Sequence, residues 1–115
     1  MTEPTLVAYK ILTSEQRRQL EHDNIFMGSP QDCDDGFIHL STGIQLNETL
    51  DKHFADQAGL HIASRDLATL GKAIRWEESR GGQVFPHLYA PLPRRAVMAI
   101  IPVARDADGN LLLPD

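Results

Sequence analysis

The sequence predicts an α+β domain in which a small split or mixed antiparallel sheet carries two or three helices. Three observations lead there. Short β-prone runs recur along the chain, punctuated by Gly, Pro, Asn and Asp. Two Thr-x-x-Gln capping boxes, at residues 13–16 and 42–45, each precede apolar residues. Strands and helices show little of the βαβ alternation that builds a doubly wound parallel sheet.

Residues 5–12 are apolar and β-prone and predict the first strand. Thr13 then caps an orphan amide while Gln16 reaches back, opening a helix to about His22. Its apolar stripe is thin, with Leu20 as anchor, which places it on the surface. Residues 24–35 read as a loop, with Gly28-Ser29-Pro30 followed by Asp32, Asp34 and Asp35. A short strand over 36–40 comes next. The second box, Thr42 with Gln45, opens a helix carrying Leu46, Leu50 and Phe54 at four-residue spacing, and Gly59 is the expected stop. A strand over 60–64 and a loop or single turn over 66–71 follow. Strands over 73–78 and 84–89 are joined as a hairpin through Arg80-Gly81-Gly82. Pro91 and Pro93 break the chain before a strand over 96–103, and Asp108-Gly109 turns it back through 111–113.

A chain of 115 residues suits one domain. At 42% hydrophobic and 23% charged residues it has ordinary globular composition, so disorder is not expected. The single cysteine, Cys33, excludes an intramolecular disulfide and points to a reducing compartment. Met1-Thr2-Glu3-Pro4 lacks the basic and apolar segments of a secretory signal. The apolar stretch over 96–101 is far short of the ~20 residues of a membrane span. These features predict a cytoplasmic protein without a membrane segment. Eleven Lys and Arg against 16 Asp and Glu give a formal charge of −5. Arg17-Arg18 and Arg94-Arg95 are only pairs, so no basic stripe supports general nucleic-acid binding. A small anionic ligand stays open, because one or two arginines suffice for it.

Strand alternation sorts the chemistry. Over 36–41, Phe37, His39 and Ser41 share the face opposite Ile38 and Leu40. Over 73–78, Arg75 and Glu77 point away from Ile74 and Trp76. Over 84–89, Phe85, His87 and Tyr89 oppose Val84, Pro86 and Leu88. If the three polar faces converge, His39, Ser41, Glu77, His87 and Tyr89 line one cleft. The alternative is the wet face of a half-buried sheet. Phe37, Phe85 and Tyr89 are large for such a face, and it is rich in His and poor in Lys. No pair of His or Cys residues has metal-ligand spacing, so no metal is expected. His22, His53 and His61 read as surface or helix-end histidines. Cys33 sits among carboxylates that oppose its thiolate. Residues 106–110 read as a hairpin turn, since the terminal Glu of a calcium loop is missing. Thr42 is first of all a helix cap.

Asp35-Gly36-Phe37-Ile38-His39-Leu40-Ser41-Thr42, with Gln45 and Thr49 behind it, resembles the signature of the bacterial domain-of-unknown-function family numbered 952. Ile74-Arg75-Trp76-Glu77, then Gly82 and Phe85-Pro86-His87-Leu88-Tyr89, is similar to its second signature. The resemblance spans nearly the whole chain. It implies the ADP-ribosyltransferase fold, in which two small sheets enclose a cleft for a nicotinamide dinucleotide. It further implies that His39, with Ser41 or Thr42 beside it, holds a ribose, that Tyr89 or His87 stacks or hydrogen-bonds, and that Glu77 is the catalytic carboxylate.

Two functions from different classes follow. The first is an NAD-dependent ADP-ribosyl or related ribosyl transferase. It uses NAD as substrate and no metal, with Glu77 and His39 catalytic and Ser41, Thr42, Arg75, His87 and Tyr89 binding the ligand. Its chemistry requires an ionised carboxylate near the positive charge that develops on the ribose. The second is a non-catalytic module binding a nucleotide-like or small anionic ligand in the same cleft. A third reading gives the constellation a purely structural role.

Overall fold

The computed structural model describes residues 7–54, 57–66, 71–78 and 82–114. In chain order the elements are β1 (Val7–Leu12), α1 (Ser14–Asp23), β2 (Ile25–Phe26), α2 (Pro30–Asp35), β3 (Ile38–His39), α3 (Leu46–His53), β4 (His61–Asp66), β5 (Ile74–Glu78), β6 (Val84–Leu88), β7 (Leu92–Pro93) and β8 (Val97–Pro102). Short 3₁₀ turns, Gly71–Ala73 and Arg94–Ala96, lead into β5 and β8. The class is α+β, with three helices on small antiparallel sheets.

One sheet has the order β1-β4-β8 and another β3-β6-β5, while β2 and β7 pair as a two-residue ribbon. Every strand pairing among the described residues is antiparallel, so the sheet is split and not mixed. The two larger sheets meet where Tyr9 and Ser41 exchange backbone hydrogen bonds of 2.8 and 2.9 Å. That bridge brings the end of β3 alongside β1. The strand expected over 36–40 shortens to two residues, and β6 supplies a reason. Leu40 N–H donates to Pro86 C=O at 3.1 Å, but Pro86 has no N–H to return.

Alternation along β1 feeds two apolar clusters. Ala8 and Leu12 pack with Leu20 of α1, Phe26, Ile38, Leu40, Leu88 and Leu92. Ile11 faces the other way, with Leu46 and Leu50 of α3 and Leu60 and Ile62 around it. Lys10 shares the alternation face of Ala8 and Leu12 and is buried. The β1-β4-β8 sheet therefore lies between α3 on one side and the β3-β6-β5 sheet with α1 on the other.

The capping box of α1 forms in both directions: Gln16 N–H donates to Thr13 Oγ1 and Thr13 N–H to Gln16 Oε1, at 3.1 and 3.0 Å. The box at 42–45 also closes reciprocally, yet it forms a turn ahead of α3, which begins at Leu46. Gly59 is not the helix stop, because α3 ends at His53 with Phe54 as its cap. Instead Gly59 C=O accepts from Ser14 Oγ at 2.7 Å. Residues 24–35 are not an open loop: they hold β2, which pairs with β7, and α2. The expected hairpin between β5 and β6 pairs from Glu78–Val84 inward, and its Arg80 and Gly81 lie outside the described residues. Asp106 Oδ1 accepts from the amides of Asp108 and Asn110, closing the turn expected at Asp108-Gly109. No helix among the described residues is long and apolar enough to cross a membrane.

Candidate functional site

The site starts from the short helix α2. Ser29 caps it, Pro30 occupies its first turn, and Asp32 reaches back to the Ser29 amide at 2.9 Å. Gly36 ends it in the left-handed conformation at φ +85°, its amide donating to Asp32 C=O. The chain entering the helix passes so close to Asp32 that a Cβ on Gly28 (φ +119°) would lie 3.0 Å from the Asp32 Cβ. These constraints fix the Asp32 carboxylate, which is 2% exposed.

Four donors meet that carboxylate. Oδ2 accepts from the Ser29 amide and from Lys10 Nζ at 2.9 Å. Oδ1 accepts from the His39 amide at 3.1 Å and from His39 Nδ1 at 2.6 Å. Burial by itself raises the Asp32 carboxyl, but the His39 bond, Lys10 and the Ser29 amide together hold it well below the usual carboxylate range. Burial likewise lowers the Lys10 ammonium, with Asp32 opposing it. The other ring nitrogen of His39, Nε2, lies 3.0 Å from Asp35 Oδ2. A neutral imidazole has one N–H, so only the cationic ring donates to both aspartates at once.

A second carboxylate–histidine pair stands on the neighbouring strands. Glu77 Oε1 accepts from His87 Nδ1 at 2.8 Å and from the Tyr89 hydroxyl at 2.6 Å. Tyr89 foremost, then His87, holds the Glu77 carboxyl below its ordinary range, and Glu77 raises the Tyr89 phenol in return. The Arg75 guanidinium sits 5.0 Å from the centre of the Tyr89 ring. Phe37 joins the two pairs: it stacks on His87 at 4.0 Å and 24° and lies 4.6 Å from the His39 ring. The two imidazoles are 5.6 Å apart, edge to face.

A cavity of about 340 Å³ opens beside these groups. Its walls include Tyr9, Phe37, Phe54 and Phe85, with His39, Ser41, Thr49, Asp32, Asp35, Glu78, His53 and His87 as polar lining. Of the residues singled out from the sequence, His39, Ser41 and His87 line it. Ser41 is buried, its Oγ 3.1 Å from Thr49 Oγ1. Glu77 and Tyr89 are not among the lining residues; they touch the cavity through His87. Arg75 is exposed and lies over the Tyr89 ring, and Thr42 is occupied in its cap. On the far side of Phe37 lies a shallower cavity of about 250 Å³, lined by Met27, Cys33, Tyr89 and Pro91 among others. Among the described residues, no group of three or more His, Cys, Asp or Glu side chains is placed to hold a metal ion.

The sequence reading misses Asp32, Lys10, Asp35, Glu78 and the cavity-lining position of His53. A signal for Asp32 exists. Ser29-Pro30-Gln31-Asp32 has a cap residue, a Pro at the first helical position and an acid three residues after the cap. Lys10 carries one too, as a charge on the strand face of Ala8 and Leu12.

Comparison with known proteins gives a family and a fold. No curated protein matches the chain. A crystal structure of protein CC0527 from Caulobacter crescentus is similar at 42% identity and a TM-score of 0.83, covering 92% of this chain and 93% of that one. The solution NMR structure of CC0527 is similar at 43% identity and a TM-score of 0.78, covering 90% of this chain and 89% of that one. The family model described as protein of unknown function (DUF952) matches residues 11–100. The chain belongs to that family.

Proposed function

We propose that the cavity binds the nucleoside end of a nucleotide-like ligand. One observation carries this reading: aromatic walls enclose a few polar groups that are already held in place, His39 by Asp32 and Ser41 beside Thr49. Flat apolar walls suit a base or nicotinamide ring, and fixed donors and acceptors suit ribose hydroxyls. At about 340 Å³ the cavity stands near the lower end of the usual ~300–1,000 Å³ for small-molecule sites. A ring with its ribose suits that space, with phosphates left at the mouth.

The charges favour a hydroxyl-rich ligand over a bare anion. Lys10 is the one Lys or Arg among the described lining residues, and it is paired with Asp32. Asp35 and Glu78 also line the cavity, so a small free anion would meet carboxylates there. NAD is the ligand that the family resemblance implies, and ADP-ribosyl or related ribosyl transfer is the second reading. Two imidazoles held by carboxylates on one wall favour it, since such groups move protons. His39 would then hold the ribose, and Glu77 would act through His87.

The test is a calorimetric and thermal-shift panel with NAD, ADP-ribose, adenosine and inorganic phosphate, run alongside chromatography for released nicotinamide. Binding of NAD, ADP-ribose or adenosine that His39→Ala weakens tenfold or more supports the site. Nicotinamide release that is lost in Glu77→Gln supports transfer. Absence of binding by all three nucleoside-bearing compounds refutes the proposal.

A further inference from the structure

Glu77 directs both of its hydrogen bonds through Oε1, to the Tyr89 hydroxyl at 2.6 Å and to His87 Nδ1 at 2.8 Å. Its carboxyl is held below the ordinary range by these two partners, so at neutral pH it is ionised and can only accept. The proton of a neutral His87 ring therefore resides on Nδ1, and Nε2 presents a bare lone pair. That atom is buried and has no hydrogen-bond partner among the described residues. The whole residue is 4% exposed, yet it is one of the residues lining the cavity. Folded proteins leave few such acceptors unmet, and those they keep call for a physical reason. His39 differs, because both of its ring nitrogens already face aspartates.

We propose that His87 Nε2 is the hydroxyl-accepting atom of the cavity, and that Glu77 is a positioning residue that fixes the ring in the required tautomer. The partner is a ribose-type hydroxyl of the bound ligand or of a co-substrate. This rests on reading the cavity as a nucleoside site. Where NAD is the ligand and a hydroxyl the acceptor, the balance closes on these groups. The hydroxyl oxygen forms a bond to the anomeric carbon, and nicotinamide leaves with the electron pair of the broken glycosidic bond. The hydroxyl proton passes to Nε2, and the resulting imidazolium faces the Glu77 carboxylate.

Nitrogen-15 NMR of the histidine-labelled full chain tests the inference. In the free protein, the neutral His87 ring is expected in the Nδ1–H form with Nε2 unprotonated. Glu77→Gln should shift it toward a tautomer mixture, and Tyr89→Phe, which spares the carboxylate, should not. Saturating adenosine or ADP-ribose should move the Nε2 resonance, and His87→Asn should weaken that binding at least tenfold. If either compound binds and Nε2 stays still, the inference fails while the nucleoside site stands. If neither binds, free D-ribose is the remaining hydroxyl probe. A His87 response to ribose keeps the hydroxyl acceptor without the nucleoside site, and silence toward all three overturns both. An Nε2–H tautomer in the free protein overturns the inference by itself.

Discussion

Asp32 and His39 are joined twice through one oxygen: Asp32 Oδ1 takes the His39 amide at 3.1 Å and its ring Nδ1 at 2.6 Å. The backbone bond sets where β3 starts relative to α2, and the side-chain bond fixes the orientation of the ring. The second oxygen anchors Lys10 of β1 and the Ser29 cap. One buried carboxylate thus ties a strand of each larger sheet to the helix between them.

Asp32→Asn removes the charge from the centre of that network and leaves Lys10 buried without a counter-ion. Breaking a buried pair from one side costs about 3–5 kcal/mol. Urea denaturation should show a loss of that order for Asp32→Asn. Lys10→Met should cost less, because Asp32 keeps His39 and the Ser29 amide. Near-equal stability of Asp32→Asn and the parent would contradict the arrangement.

The same carboxylate shapes the acid limb of stability. Its folded value is depressed by His39, Lys10 and the Ser29 amide against the opposing effect of burial. The unfolded value is about 3.9, so on acidification the unfolded chain takes up its proton first. The Asp32 contribution is therefore full above about pH 4 and is lost as pH falls through the lower folded value. Stability measured from pH 6 downward should fall more steeply for the parent than for Asp32→Asn, whose position 32 does not titrate. Parallel slopes would speak against it.

Strand alternation assigns His39 and His87 to the faces that meet the cavity, and the β3–β6 pairing joins them there; Ser41 lies beyond the two-residue β3 and is placed by its bridge to Tyr9. Alternation puts Glu77 on the site face and Glu78 on the opposite one, yet Glu77 reaches the cavity only through His87 while Glu78, at the strand end, lines it. Asp32 was hidden for another reason. Asp32, Asp34 and Asp35 look equivalent as an acidic run, and only the helical turn started by Ser29 and Pro30 turns Asp32 inward while Asp34 stays exposed. The ribbon of β2 and β7 is two residues long, too short for any periodic pattern. The bridge between Tyr9 and Ser41 is a tertiary contact that local propensity does not encode.

Glu77→Gln should change Tyr89 in a direction set by the lost charge. The Glu77 bond is the first cause of the raised Tyr89 phenol, followed by its burial and the Glu77 charge. In a Tyr9→Phe background, the phenolate absorbance of Tyr89 should titrate above about 10, the ordinary tyrosine value. Glu77→Gln should bring it down toward that value, where the nearby Arg75 also pulls. An unchanged midpoint would mean that the hydroxyl bond is not kept in solution.

Two glycines with left-handed backbones make a matched pair. Gly36 (φ +85°) has open space where a Cβ would stand, whereas at Gly59 (φ +72°) a Cβ would meet Ser14 Oγ at 2.8 Å. Gly36→Ala should cost the backbone penalty alone, about 1–2 kcal/mol. Gly59→Ala should cost more, because it also displaces the Ser14 hydroxyl that bonds Gly59 C=O. Ser14→Ala in the same background should erase the excess. Equal costs at the two glycines in thermal or urea unfolding would refute the steric part.

Phe37 stands between the larger and the shallower cavity and touches both histidine pairs. Aromatic contacts of this kind are worth about 0.5–1.5 kcal/mol beyond burial. The ring is only half-buried, so Phe37→Ala should cost less stability than the about 3–5 kcal/mol of a fully buried Phe→Ala. Its larger effect should fall on the site. Removing the ring joins the two cavities and frees the His87 face, so a ligand that binds the parent should lose up to about tenfold in affinity, which is about 1.4 kcal/mol. Phe37→Tyr keeps the stacked ring and should retain most of the binding. Calorimetry of the three proteins with adenosine decides it: if Phe37→Ala binds as tightly as the parent, the aromatic wall does not hold the ligand.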